Sequence, residues 1–299
     1  MTVRPQFRFQ TILAAADFSD ASCAAKRYAQ AIAKVHGAKL IIAHIIDPVG
    51  FAYAGGEPER IRKDKAAHEE VARIENETRS RGIPVHSASE SELIRDRILE
   101  AVRNNHADLL VLGTKAITEA GHMALGIVAR RLLARTPCPM LLVPADSEKH
   151  LFTAGSWRKV LIATDFSLAS LEALGYAHRV AYEKLLVVHA KSSVEASGNN
   201  AELERLRFLA PFNESHTVPV DHVVTNGDAG GVIAEHARKF HADLVVLGSP
   251  VDELTEEDSS TSTVLQVVSS VDCPVLCVPS TLDAPVFEAA RVKEVAHAC

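Results

Sequence analysis

The sequence predicts two tandem doubly wound α/β domains, and three observations carry that prediction. First, the chain is written twice: TILAAADFS (11–19) returns as KVLIATDFS (159–167), HADLLVLGT (106–114) as HADLVVLGS (241–249), and PCPMLLVP (137–144) as DCPVLCVP (272–279). Second, each copy alternates short apolar runs with longer helical stretches, the mark of βα units. Third, the apolar runs are continuous, as in KLIIAHII (39–46). Strands apolar on both sides are buried on both faces, which is the habit of parallel sheets.

The elements follow in order. In the first copy strands are predicted near 9–16, 39–46, 84–88, 108–113 and 139–143, with helices near 20–36, 57–81, 91–104 and 124–135. Asp20 is placed as the N-cap of the first helix, because Phe18-Ser19-Asp20 leads into an alanine-rich run. The charged stretch 57–81, with Ile61, Val71 and Ile74 as its apolar positions, reads as an outer helix. Right-handed crossovers then cover both sheet faces. The second copy repeats the plan from about Arg158 to Pro279. Asp17 and Asp165 lie 148 residues apart, His44 and His189 145, and Asp108 and Asp243 135. Most of the shortening therefore falls after the second strand. The boundaries are domain 1 at 1–145, a polar linker at 146–156, domain 2 at 157–280 and a tail at 281–299 with a short helix around Val286, Phe287, Ala290 and Val295.

Composition agrees and excludes some functions. The 299 residues suit two domains of about 150 each. Aromatics are only 5%, so the core must be built from Ala, Val, Leu and Ile. A formal charge of −6, a pI near 6.2 and no long basic stretch argue against a nucleic-acid binder. MTVRPQFRFQ holds no apolar signal core, and no apolar run nears the roughly 18 residues that span a bilayer. The expectation is a cytoplasmic protein with no membrane contact. Cysteines at 23, 138, 273, 277 and 299 form no disulfide framework. Cys273 and Cys277 lie about 13 Å apart if they share a strand, too far for one zinc ion, so buried reduced thiols are expected.

No catalytic constellation is found. Gly121 and Gly126 have Walker A glycine spacing, but Ile127-Val128 stands where Lys-Ser/Thr is needed. Gly227-Asp228-Ala229-Gly230-Gly231 is read as a tight turn with Asp228 capping a helix, rather than a phosphate loop. His44 and His189, at equivalent strand ends, are read as packed or hydrogen-bonded; His106 and His241 as surface residues; His122 as a solvated loop residue.

ADFS and TDFS after the first strand, the second strand ending in His, ADLLVLGT with ADLVVLGS, and VARRLLARTPCPMLLVP together resemble the universal stress protein family in its tandem form. The likeness covers about 7–144 and 157–279. It implies a five-stranded parallel sheet in each domain, in the order 3-2-1-4-5. It also implies pairing of the two fifth strands, Met140–Val143 and Val275–Val278, across a pseudo-twofold axis. A ligand would lie beyond the carboxyl ends of the strands, at the switch point between strands 1 and 4. The candidate ligand is an adenine nucleotide, ATP with magnesium.

Family members that bind nucleotide carry G-x2-G-x9-G-[S/T] after the fourth strand, where glycines admit phosphate to backbone N–H groups and a helix N-terminus. In domain 1 the four positions are Gly113, Ala116, Gly126 and Ile127, so two hold and the hydroxyl is lost. Asp17 maps to the ribose, the backbone at Ile45 to adenine, and Lys115 offers a point charge to phosphate. Ala15, Ala16, Leu112 and Val128 complete the candidate set. In domain 2 the positions are Gly248, Val251, Thr261 and Ser262, with Asp165 after the first strand. Asp252, Glu253, Glu256, Glu257 and Asp258 lie between, so Asp165, Gly248 and Ser262 are read as remnants of a degenerate site.

Three functions stay open on sequence: a non-enzymatic stress-response binding protein switched by a nucleotide in domain 1, a weak ATPase, and an interaction module without ligand in either half. A further homodimer is left open as well.

Overall fold

The computed structural model describes residues 7–16, 20–45, 85–90, 94–114, 125, 127–133, 135–147, 151, 157–191, 200–211, 218–249 and 263–280. The strands are β1 (Thr11–Ala16), β2 (Lys39–Ile45), β3 (Val85–Glu90), β4 (Leu109–Gly113), β5 (Met140–Val143), β6 (Trp157–Ala163), β7 (Ala181–Lys191), β8 (Val220–Asn226), β9 (Leu244–Ser249) and β10 (Val275–Pro279). The described helices are α1 (Asp20–His36), α2 (Ile94–Asn104), α3 (Ile127–Leu133), α4 (Leu168–Val180), α5 (Asn200–Leu209), α6 (Ala229–Phe240) and α7 (Thr263–Ser270). The expected helix over 57–81 and the expected tail helix lie outside the described residues.

The strands make one ten-stranded sheet, ordered β3-β2-β1-β4-β5-β10-β9-β6-β7-β8. Neighbours within each half run parallel. The halves meet at an antiparallel seam that sets Val275 opposite Leu142, Leu276 opposite Leu141 and Cys277 opposite Met140. Every residue of β5 and β10 is buried. An apolar edge strand left open would recruit another chain; here the repeat supplies the partner.

Alternation along the seam feeds two cores, each shared by both halves. Leu141, Val143, Leu276 and Val278 point to the face covered by α1, α4 and α5. Met140, Leu142, Val275 and Cys277 point to the face covered by α2, α3, α6 and α7. The fold is therefore three layers, α/β/α. Aromatics sit where the halves join: Phe7 packs edge-on to Tyr176 of α4 at 5.7 Å, and Tyr28 of α1 donates through its hydroxyl to Ser147 O at 2.7 Å. Ser147, near the start of the polar connection between the halves, is fully buried. Its hydroxyl donates to Pro144 O at 2.6 Å, which is how a polar residue tolerates burial there.

The repeated His-Ala-Asp has a mechanical role in both copies. His106 and His241 adopt left-handed conformations (φ 50 and 53) that end the preceding helical segment. Both are exposed, as expected. Histidine tolerates this region better than most non-glycine residues. The next alanine is buried. Asp108 then accepts from Gln10 N (2.6 Å) and Thr11 N (3.0 Å), and Asp243 from Arg158 N (3.1 Å) and Lys159 N (3.0 Å). Each aspartate fastens the start of one central strand to the start of its neighbour.

Asp20 does not precede the helix as a cap; it is the first residue of α1. Ser19 lies outside the described residues, but the second half is described at this point. Ser167, the counterpart of Ser19, caps α4 by accepting from Ser170 N. Cys138 and Cys277 are free, and burial pushes each thiol up to about 12, the inert state expected. Cys273 is buried and in no disulfide, whereas Cys23 is half-exposed.

Because the two halves share both cores, Leu141→Ala or Leu276→Ala at the seam should each cost about 2–5 kcal/mol. Urea unfolding followed by the fluorescence of the single tryptophan and by far-ultraviolet dichroism should give one coincident transition, shifted in both variants. Two separated transitions in the wild type would contradict a shared core.

Candidate functional site

Antiparallel joining of two parallel sheets places their carboxyl ends on opposite sides of the molecule. The two candidate sites therefore open at opposite ends, one beyond β1 and β4, the other beyond β6 and β9.

At the first, Ala15 and Ala16 close β1 opposite Ala43 and His44 of β2. Ala16 is buried and Ala15 half-buried. Gly113 ends β4 opposite Val143. A Cβ on Gly113 would collide with the backbone of Ala21 and Ser22, in the first turn of α1. The glycine is required for helix and strand to touch, whatever binds nearby. Buried Ala21, Ala24, Ala25 and Ala29 continue that close packing along α1. Leu112 is a core residue, and Val128, in the first turn of α3, is half-buried against the same core. Ile45 ends β2 opposite Glu90, and Ile127 opens α3. Asp17, Lys115, Ala116, His122 and Gly126 lie outside the described residues.

The second site is described more fully. Gly248 repeats the packing role of Gly113: a Cβ there would fall 2.5 Å from Ala169 C and 2.5 Å from Ser170 N of α4. Between β6 and α4 the polar groups satisfy one another. Phe166 N donates to Thr164 Oγ1 (3.0 Å), Thr164 Oγ1 meets Ser170 Oγ (2.8 Å), and Ser170 Oγ donates to Ser167 O (2.9 Å). Asp165 accepts from Ser167 N at 2.9 Å, a structural use of the carboxylate at the strand end. Burial of Asp165 opposes ionisation, but hydrogen bonds from Ser167 and Ser170 outweigh it and hold the carboxyl below its ordinary range. His189 Nδ1 lies 2.8 Å from Thr164 O; a carbonyl only accepts, so Nδ1 carries the proton. His189 is thus a hydrogen-bonded strand-end histidine, as expected; the side chain of His44 is outside the described residues.

Phe166 is the unusual residue here. Its φ of 67 is left-handed, a conformation that costs a bulky residue about 1–3 kcal/mol. Its ring packs on His189 (centroids 4.5 Å apart), and the Arg205 guanidinium of α5 lies over it at 4.0 Å. Lys191, at the end of β7, pairs with Glu202 of α5 at 2.9 Å. Sequence reading missed Arg205, Lys191 and Glu202, because α5 lies in the stretch where the copies differ in length. Phe166 was readable only as half of a repeated Asp-Phe-Ser. Ser249, after Gly248, has a buried hydroxyl with no hydrogen-bond partner among the described residues. Ser262 and the acidic stretch 252–258 lie outside them.

Elsewhere, Asp228 caps α6 by accepting from Gly231 N at 2.9 Å, so the glycine cluster at 227–231 is the tight turn expected. Among the described residues no group of three or more His, Cys, Asp or Glu could hold a metal ion. Nor, among them, is any helix long and apolar enough to cross a membrane.

Comparison with known proteins follows this geometry. The model of the Universal stress protein family matches residues 8–144 and 156–279. A universal stress protein of Thermus aquaticus, described as lying in the QAH/OAS sulfhydrylase 3'region, is 36% identical over 141 residues, spanning 98% of that protein and 45% of this chain. Among solved structures, a universal stress protein from Archaeoglobus fulgidus superposes with a TM-score of 0.72 at 18% identity, covering 91% of this chain and 99% of its own. A protein from Pseudomonas aeruginosa described as a putative universal stress protein follows at 0.63 and 17%, covering 91% and 93%. At such identities the structural likeness speaks for the fold.

Two outcomes follow. Gly113→Ala and Gly248→Ala should each destabilise the free protein by about 1–3 kcal/mol or more through backbone overpacking, read by urea unfolding without any ligand. Asp165, with its folded pKa below the unfolded value, contributes stability that is complete above about pH 4 and lost as pH falls through the folded pKa. Thermal midpoints between pH 5 and 2 should therefore fall more steeply for wild type than for Asp165→Asn.

Proposed function

The chain belongs to the universal stress protein family, and on that premise we propose that it is a stress-response binding protein, not an enzyme, that takes one adenine nucleotide at the switch point of its first half. One observation carries the binding role. Around Asp165, Ser167, Ser170 and His189 the polar contacts among the described residues are caps, backbone bonds and the Thr164–Ser170 hydroxyl pair. They hold a helix on a strand end and leave no serine or threonine poised against a base. The same Asp-Phe-Ser and helix recur in the first half.

Assignment of the nucleotide to the first half rests on chemistry that differs between the copies. Its loop keeps Gly126 and offers Lys115, whereas the second half's loop carries five carboxylates between Asp252 and Asp258. Magnesium would arrive with ATP, held by phosphate oxygens and water, as that ion prefers. A second reading, an interaction module without ligand, draws support from Gly113. Because packing against α1 already demands glycine there, its retention says little about phosphate.

Isothermal titration of the full chain with ATP, ADP and AMP plus magnesium, after stripping and identifying co-purified nucleotide, separates the two. One site per chain, lost in Asp17→Ala while the fold persists, is the expected result. No heat and no co-purified nucleotide would favour the module without ligand. Phosphate release above that of the Asp17→Ala variant would instead reveal a weak ATPase.

A further inference from the structure

The first strands of the two copies are not held at their starts in the same way. In the second half β6 is already in the sheet at Trp157, which pairs with Ala181. The counterparts in the first half, at the repeat offsets of 148 and 145, are Phe9 and His36. Neither lies in the ladder there, which begins at Thr11 and Lys39. Phe9 N instead donates to Nδ1 of His36, the last residue of α1, at 3.0 Å. Phe9 and His36 are 2% and 7% exposed, so water offers that amide little in exchange. Their ring centroids lie 5.2 Å apart, and Phe7 sets its ring edge-on to Phe9 at 4.9 Å and to His36 at 6.5 Å. Phe7 also crosses the join: its ring meets Tyr176 of α4 at 5.7 Å, with the Arg179 guanidinium 5.7 Å above it. The segment 7–9 is thus fastened to the first half by a histidine and to the second by a phenylalanine.

An amide N–H needs an acceptor, so Nδ1 of His36 carries no proton and the ring is neutral, with its one proton on Nε2. A second proton enters only at Nδ1. It turns the acceptor into a donor and sets two N–H groups against each other. We infer that His36 is a proton-sensitive latch: proton uptake at its Nδ1 releases the Phe7–Phe9 segment from α1 and, with it, the ring contact between the halves at Tyr176. The bond is complete above about pH 7, where a free imidazole is mostly neutral, and is lost as pH falls. Ala181 has nothing to titrate, so the sensitivity belongs to the first half alone. Charged groups of both signs surround the latch. Lys34 on α1, Arg8 on the segment, Lys39 at the start of β2 and Arg179 on α4 resist a further positive charge. Asp108, which accepts from Gln10 N and Thr11 N, and Glu172 on α4 favour it, as do the carbonyls at the end of α1. Tyr176 and Cys138, each pushed up to about 12 by burial, stay uncharged.

The test is NMR on the full chain, labelled at phenylalanine amides and at phenylalanine, tyrosine and histidine rings, from about pH 7.5 to about pH 5. In the wild type the Phe9 amide resonance should move with the same midpoint as the His36 ring. The cross-relaxation between the Phe7 and Tyr176 rings should disappear with it, while far-ultraviolet dichroism stays unchanged. His36→Asn puts a side-chain carbonyl in place of Nδ1 and does not titrate. It should hold the Phe9 amide and the ring contact constant over the whole range, and His36→Gln serves if that variant fails to fold. A Phe9 amide that stays in place while His36 titrates would overturn the proposal. So would a His36 ring that takes up no proton above about pH 5, or a shift of the same midpoint in the folded variant. No nucleotide enters the measurement, so its outcome is separate from binding in the first half, which titration calorimetry reads.

Discussion

A four-residue strand such as β5, buried along its whole length and apolar on both sides, is not stable at the rim of a sheet. It needs a hydrogen-bonding neighbour and a helix on each face. The antiparallel ladder between β5 and β10 supplies the first, and the rest of the architecture depends on it. It merges two five-stranded halves into one sheet and extends each core across the join. It also sets α1 and α4 on one face and α3 and α7 on the other. Tyr28 and Tyr176, equivalent by the repeat, then meet segments near the join, Ser147 and Phe7 respectively.

Within each half a second constraint fixes the site. A helix must begin where the first strand ends and run back beneath the fourth, and its opening turn lies so close to that strand that only glycine fits at 113 and 248. A motif drawn from ligand-binding relatives assigns the same glycines to a phosphate cradle. Both demands act on one atom, the missing Cβ, so the sequence pattern alone does not separate them. What separates them is the neighbour: backbone of Ala21 and Ser22 in one copy, of Ala169 and Ser170 in the other.

Much of the fold was legible because its signals are local and repeated. Continuous apolar runs marked buried parallel strands, and the duplication located the second half from the first. The strand pairing at Met140–Val143 was expected from the family likeness and from the apolar edge. The placement of Asp20 failed by one residue, since two adjacent cap-forming residues, Ser19 and Asp20, look alike in sequence. The buried Ser147 was illegible because its partner, Tyr28, lies 119 residues away. The role of Asp108 and Asp243 was hidden for the same reason: a repeated His-Ala-Asp reads as a turn, while its carboxylate reaches the start of a strand 97 and 98 residues earlier in one copy and 84 and 85 in the other. In the candidate site, the unread part was Arg205 with Lys191 and Glu202. They belong to the region where the copies diverge, so repetition gave no guide.

Joining the two halves in one polypeptide has a consequence for how such a molecule can change. In a pair built from identical chains, every substitution is written on both sides of the axis, and a residue harmful at one mouth is harmful at two. Here the seam holds the halves together while their coding is separate. The loop sequence of one copy is free to accumulate carboxylates while that of the other keeps Lys115 and Gly126. Symmetry is retained where packing demands it, at the glycines and the seam, and relaxed where only a ligand would have enforced it.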